Sequence, residues 1–166
     1  MLCPDFYFES VLDVPYERLY ELGLRGLIFD IDNTLGAYED EVAPGEICVM
    51  MDRLGDLGFK VGLLSNNGLR RMESFNRDMK LPGSARAAKP LAGKLLRLVR
   101  DMGLARHECA MVGDQLLTDI WCGRRAGVRT ILVKPLTERE VLSVMLKRGL
   151  ERRLFKRCLR GHVNPL

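Results

Sequence analysis

The sequence predicts an α/β fold, a mainly parallel sheet with helices packed on both faces. Three observations predict it. Short apolar runs bounded by turn residues, of the kind a strand buried on both faces requires, alternate with stretches of helical periodicity. The links between them are short, so strand–helix–strand units recur as right-handed crossovers. The polar clusters Asp30/Asp32, Ser65/Asn66, Lys89 and Asp114/Asp119 each fall at or near the carboxyl end of an apolar run. Crossovers of one hand gather those ends on one rim, where open α/β sheets bind ligands.

Length and composition bound the answer. At 166 residues, 47% hydrophobic and 29% charged, the chain is long enough for one domain with a real core and short for two. No apolar run approaches the roughly 18–20 residues of a membrane span. The N-terminus carries Asp5 and Glu9 among its aromatics and lacks a basic n-region, so no secretory signal is expected. Five scattered cysteines without a C-x-x-C pair read as small buried hydrophobes, argue against zinc, and favour a reducing, cytoplasmic setting.

Taken in order, Phe6 to Leu12 is aromatic-rich and reads as a cover over one end of the sheet. Val14 to Gly23 is a short helix with Pro15 near its start and Gly23 at its end. Leu27 to Phe29 is the first buried strand. Ile47, Met50, Met51 and Leu54 mark a helix closed by Gly55 and Gly58. Phe59 to Leu64 is a strand ending in Ser65-Asn66-Asn67-Gly68, followed by a helix from about Leu69 to Lys80. Ala85 to Ala88 is a short extended piece before Lys89-Pro90, where proline disfavours helix at Lys89. An amphipathic helix from Leu91 to Met102, a strand from Glu108 to Val112, a helix from Ile120 to Ala126 and a fifth strand from Val128 to Val133 complete the pattern.

The organising stretch is Leu27-Ile28-Phe29-Asp30-Ile31-Asp32-Asn33-Thr34-Leu35. A strand alternates faces with period two, so Asp30 and Asp32 can point the same way as the strand gives out. Asp30-x-Asp32-x-Thr34, then Ser65, Lys89 and Gly113-Asp114-x4-Asp119, in that order, resemble the four motifs of the haloacid dehalogenase (HAD) superfamily of phosphatases. The words Asp-Ile-Asp-Asn-Thr-Leu, Leu-Ser-Asn-Asn, Ala-Lys-Pro and Gly-Asp-Gln-Leu-Leu-Thr-Asp further resemble the YqeG family, which is related to mitochondrial phosphatidylglycerophosphate phosphatases. The likeness runs from about Phe8 to Leu136. Arg124 departs from it, at a position where that family has Asn. The resemblance implies a Rossmann-like three-layer HAD fold; the order of elements gives it five strands and no cap domain, with residues 1–136 as the phosphatase domain and 137–166 as a basic amphipathic helical extension of the same domain.

The chemistry follows from the residue types. A carboxylate attacking an anionic phosphate needs a cation to offset repulsion, and magnesium prefers one or two carboxylates plus substrate oxygens. Asp30 and Asp114 can hold it, with the Asp32 backbone carbonyl added by resemblance. Asp30 is the expected nucleophile, giving an aspartyl-phosphate that splits hydrolysis into two easier steps. Asp32 is the expected acid and then base; it must arrive protonated, which a neighbouring Asp30 charge favours. Ser65, Asn66 and backbone amides after the second strand are expected to hold phosphoryl oxygens. Lys89 supplies positive charge to the transferring group, Thr34 supports the site, and Asp119 orients Lys89 or metal-bound water. His107 and His162 are the only histidines and neither ends a strand, which disfavours a Ser–His hydrolase. Gly113-Asp114 lacks P-loop spacing.

About thirty residues separate Thr34 from Ser65 and about twenty separate Asn67 from Lys89, each gap filled by a crossover helix. A lid domain of about 50 residues has no room. The expected site is open, suiting a phosphate on something large or at a surface. The tail is the second informative feature. From Lys134 to Leu166 nine basic residues face three acidic ones, a local +6 against about −2 for the rest. Leu150, Leu154, Phe155, Cys158 and Leu159 fall on one helical face with Arg152, Arg153, Lys156, Arg157 and Arg160 around it. The 150–160 stretch reads either as an interfacial helix on an anionic membrane, on its inner face, or as a helix docked on the body. Nucleic acid is the weaker partner, because no aromatics interleave with the basics. The favoured substrate, by resemblance, is phosphatidylglycerophosphate. The alternatives are a soluble phosphatase for nucleotides, sugars or phosphoproteins, and an adaptor binding RNA, a ribosome or a GTPase through the tail. No feature of the sequence specifies an oligomeric state.

Overall fold

The computed structural model describes residues 2–137. The tail stretch 150–160, and all of the expected extension beyond Thr137, lie outside the described residues.

Among the described residues six strands form one sheet: β1 (Phe6–Phe8), β2 (Gly26–Phe29), β3 (Lys60–Leu64), β4 (Gly83–Ser84), β5 (Cys109–Gly113) and β6 (Arg129–Val133). Their order is β1-β6-β5-β2-β3-β4, and every pairing is parallel. The α/β expectation holds, with six strands rather than five. The extra one is Phe6–Phe8, which pairs with Ile131 to Val133 as an edge strand instead of covering the end of the sheet. Its run of aromatics is as good a strand former as a cover, and composition alone does not separate the two.

A second difference concerns the short strand before Lys89. The paired residues are Gly83–Ser84, and 85–88 is a bent link. Arg86 and Ala88 adopt φ of 49° and 56°, and the Arg86 and Ala87 amides donate to Asn67 and Ser65 carbonyls at 2.8 and 2.9 Å. These left-handed positions end the ladder where small apolar residues suggest it continues.

Among the described residues five α-helices connect the strands: α1 (Tyr16–Glu21), α2 (Gly45–Asp56), α3 (Leu69–Phe75), α4 (Gly93–Asp101) and α5 (Trp121–Ala126). Strand alternation distributes them over two cores. Leu27 and Phe29 of β2, with Val61, Leu63, Ala110 and Val112, face a cluster completed by Leu19, Met50, Leu54, Met72 and Phe75 of α1, α2 and α3. Ile28, Leu64 and Met111 face the other way, onto Leu95, Leu98 and Val99 of α4 and Cys122 and Ala126 of α5. The predicted Ile47/Met50/Met51/Leu54 stripe is the buried face of α2. Cys48, Cys109 and Cys122 are free thiols and the last two are fully buried. Cys3 is disulfide-bonded, a departure from the reading of all five as isolated hydrophobes.

The strand order reverses between β2 and β5. The chain runs outward from β2 through β3 to β4, then returns to the opposite side of β2. Loops leaving β2 and β5 diverge at that point and leave a crevice at their carboxyl ends. On the far edge, Asp5 fastens the start of the chain. Its carboxylate accepts from the Thr130 amide and hydroxyl, both at 2.8 Å, and lies 3.2 Å from Arg124. Arg124, the departure from the YqeG pattern, also donates to the Cys3 carbonyl at 2.7 Å. It ties the segment before β1 to α5, at the end of the sheet opposite the crevice.

Gly55 lies inside α2, and a Cβ there meets nothing within 4 Å. Gly55→Ala is therefore expected to raise unfolding stability by about 0.5–1 kcal/mol in denaturant titration, through the lower conformational entropy of the unfolded chain.

Candidate active site

Asp30 is the first residue past β2 and Asp114 the first past β5, so the two carboxylates stand on either side of the crevice. Both are buried, at 5% and 7% exposure. The Thr34 hydroxyl lies 3.4 Å from Asp30 Oδ2 and 3.4 Å from Asp114 Oδ1 and has one proton to share between them. Carboxylate oxygens of Asp30, Asp114 and Asp119 all lie within 4.8 Å of one another.

Lys89 crosses this floor from the β4 side. Its ammonium pairs with Asp30 Oδ1, lies 2.6 Å from Asp119 Oδ1, and donates to the Leu64 carbonyl at 3.0 Å. The ammonium thus has two hydrogen-bond acceptors, Asp30 and the Leu64 carbonyl, and a close ion pair with Asp119. The backbone of Lys89 is gripped by Asn66, whose Oδ1 accepts from the Lys89 amide at 2.8 Å and whose Nδ2 donates to the Lys89 carbonyl at 3.3 Å. Burial pushes the Asp30 carboxyl up to about 7; Lys89 opposes the rise, while Asp119 and Asp32 add to it. Burial alone would discharge Lys89, but the Asp119 and Asp30 carboxylates outweigh it and hold the ammonium above its usual range.

Asp119 reaches the site from a π-turn, Leu116–Ile120, that precedes α5. Its Oδ2 accepts from the Gln115 amide at 3.1 Å, leaving Oδ1 for Lys89. Gly113 makes this approach possible: a Cβ there would sit 2.5 Å from the Asp119 Cβ and Cγ.

Asp32 behaves differently from Asp30. Strand β2 ends at Phe29, and the Ile31 carbonyl accepts the Leu35 amide at 2.9 Å, so the chain has already begun to turn. The period-two rule no longer applies past that point. Asp30 faces Lys89, whereas the Asp32 carboxylate is taken on the α3 side. Its Oδ2 accepts from Asn67 Nδ2 at 2.8 Å and from the Ser65 hydroxyl at 3.3 Å, and its Oδ1 accepts from Arg71 Nε at 3.1 Å. Asp119, rather than the Asp32 carboxylate, completes the cluster around Asp30 and Asp114. Half-exposed Tyr38 stands at the mouth, its hydroxyl pKa raised by burial and then by Asp114, Asp32, Asp30 and Asp119.

A HAD-hydrolase-like family model matches residues 86–139, from the approach to Lys89 through the Asp114/Asp119 segment. The probable phosphatase YqeG of Bacillus subtilis is 34% identical over 161 residues, covering 96% of this chain and 94% of its own. The chain belongs to the YqeG family of HAD phosphatases. It is thus a phosphoric monoester hydrolase by family. The chloroplastic phosphatidylglycerophosphate phosphatase 1 of Chlamydomonas reinhardtii is 30% identical over 172 residues, which cover 98% of this chain but 64% of that protein. The crystal structure of a HAD-like hydrolase from Xanthomonas campestris superposes with a TM-score of 0.51 at 14% identity, covering 84% of this chain and 95% of that one, and shares the fold.

The structure places the eight residues singled out from the sequence, Asp30, Asp32, Thr34, Ser65, Asn66, Lys89, Asp114 and Asp119, around one crevice. The Asn66 side chain, expected on phosphate, is occupied by the Lys89 backbone. Asn67 and Arg71 were not anticipated. Asn67 could have been found from its place beside Ser65; nothing in the helical pattern marks Arg71.

Gly113→Ala is expected to displace Asp119 from Lys89 and lower kcat on p-nitrophenyl phosphate at least tenfold, while circular dichroism stays native-like. Unchanged kcat would mean that Asp119 can move without consequence.

Proposed function

We propose that this phosphatase works through an aspartyl-phosphate formed on Asp30, with magnesium as cofactor. The observation that carries the reading is the buried Asp30, paired with Lys89 and set beside Asp114 at the strand-order reversal. The donor set fits a hard divalent cation. Buried carboxylate oxygens of Asp30, Asp114 and Asp119 lie within 4.8 Å of one another, an all-oxygen set of like charge that a divalent cation would offset. Asp30 and Asp114 would hold magnesium, joined by the Asp32 carbonyl, and Asp119 lies within the same cluster. Bound there, the ion supplies charge neutralisation between nucleophile and phosphoryl oxygens.

The chain's own groups do the rest. An Asp30 carboxylate oxygen attacks phosphorus, and the bond to the leaving oxygen breaks as Asp32 gives that oxygen a proton. Asp32 then takes a proton from water, whose oxygen attacks phosphorus and returns Asp30 as a carboxylate with release of phosphate. Lys89 steadies the transferring charge from a position already fixed by Asp119 and Asn66, so no reorganisation is needed. The Ser65 hydroxyl, which here donates to Asp32 Oδ2 at 3.3 Å and accepts from the Asn67 amide at 3.0 Å, would turn to a phosphoryl oxygen once substrate binds.

The proposed substrate is phosphatidylglycerophosphate, supported by the name of the Chlamydomonas relative. Among the described residues only the 30–44 loop, α2 and α3 fill the links that a lid domain would interrupt. No helix of the described residues is long and apolar enough to cross a membrane. We place the protein in the cytoplasm, peripherally on the inner face of the membrane through the 150–160 stretch, as a 1–136 domain with a 137–166 extension.

Asp30→Asn is expected to abolish turnover of p-nitrophenyl phosphate with little change in melting temperature. Retained turnover removes Asp30 as nucleophile. Activity is expected to vanish in chelator and return with magnesium, and calcium, with its larger and higher-coordination shell, to substitute poorly. Full activity in a verified metal-free preparation ends the cofactor assignment. Turnover of dispersed phosphatidylglycerophosphate beside nucleotide, sugar and protein phosphates ranks the substrates.

A further inference from the structure

Arg71 sits on the first turns of α3 with its side chain only 19% exposed, and its guanidinium has three separate obligations. Nε donates to Asp32 Oδ1 at 3.1 Å. One terminal nitrogen donates to the Asp40 carbonyl and the other to the Ala37 carbonyl at 3.2 Å. The group stands over the Phe75 ring, 5.1 Å from its centroid, and Phe75 is itself fully buried. The 37–40 turn is closed from within by Asp40, whose carboxylate accepts from the Ala37 amide at 2.7 Å. Gly36 packs so closely on Phe75 that a Cβ would sit 2.6 Å from the ring.

A planar fork suits this task and a point charge does not. One rigid group fixes the direction of the Asp32 carboxylate and, in the same plane, anchors both ends of the turn that carries Tyr38 over the site mouth. A carboxylate that must meet the leaving oxygen, and later a water, loses rate when its direction is free, because near-attack geometry accounts for much of an enzymic rate. Asn67 and Ser65 hold the other oxygen, so Arg71 supplies the second fixed point.

We infer that Arg71 is a positioning residue for the proton-transfer step, aiming Asp32 at the leaving oxygen and locking the 37–40 turn against it. The inference rests on the proposed acid–base role of Asp32. It differs from a purely structural tie in one respect. A positioning role makes the damage depend on how much the leaving group needs a proton; a tie that only supports the fold lowers turnover of all substrates alike.

The test compares kcat for p-nitrophenyl phosphate, whose leaving group departs without protonation, with kcat for glycerol phosphate, whose alkoxide does not. Arg71→Gln, Asp32→Asn and the double variant are measured in the full-length protein with magnesium, beside melting temperatures. Arg71→Gln is expected to lose at least tenfold more on glycerol phosphate than on p-nitrophenyl phosphate, and to add less than twofold once Asp32 is Asn. Arg71→Lys keeps the charge and stem but not the fork. It is expected to lose activity with the same leaving-group dependence, and it carries the comparison if the Gln variant does not fold. Equal losses on both substrates, or full additivity with Asp32→Asn, overturn the inference. If Asp32→Asn itself shows no leaving-group dependence, the acid–base reading of Asp32 has failed. If only the Arg71 variants lack that dependence, the reading of Asp32 stands and the positioning role is lost.

Discussion

A single ammonium group governs the site. Lys89 Nζ is enclosed by Asp30, Asp119 and the Leu64 carbonyl, with a side-chain exposure of 2%. Removing such charges from water costs several kcal/mol per ion, offset only where geometry and hydrogen bonding are complete. Here two carboxylates and a backbone carbonyl meet the ammonium, and much of the surrounding architecture serves to hold it among them. Asn66 clamps the Lys89 backbone, Ala88 takes a left-handed conformation to present it, and the π-turn delivers Asp119 from the opposite side. A loose lysine at this place would leave two carboxylates buried against each other.

The sheet supplies the other constraint. Because all pairings are parallel, loops from β2, β3, β4 and β5 converge on one edge, and the reversal of strand order opens a crevice between the two that carry Asp30 and Asp114. Residues 84 positions apart in the chain thus become facing groups linked by the Thr34 hydroxyl. The strands behind these polar atoms are fully buried on both faces, which excludes competing water, strengthens each hydrogen bond made there and makes an unmet polar atom costly.

How much of this was legible depends on range. The buried strands, the helical stripe of α2 and the polar strand ends are local signals, and the structure keeps them. Asp119 against Lys89 was legible as a role because both stand at the rim. The edge strand at Phe6–Phe8 was not, since its partner lies more than 120 residues away and an aromatic run fits either a strand or a cover. The parting of Asp30 from Asp32 was hidden for a different reason. It depends on where the chain leaves the sheet, and that is set by three amides converging on the Ile31 carbonyl. Arg71 illustrates the limit most plainly. On a helical wheel it is one more surface cation, and only the tertiary placement of α3 beside the 37–40 turn turns it inward.

The π-turn at Leu116–Ile120 has a consequence for how this segment can change in length. Its Ile120 amide reaches back five residues to the Gln115 carbonyl at 3.2 Å, so it holds one residue more than an α-helical turn between the same ends. Each helical residue turns the chain by about 100°. Deleting one residue here would let the backbone relax into a regular helix and keep Cys122 and Ala126 on their core face, while swinging the carboxylate at 119 out of line with Lys89. Folding would tolerate the deletion and chemistry would not.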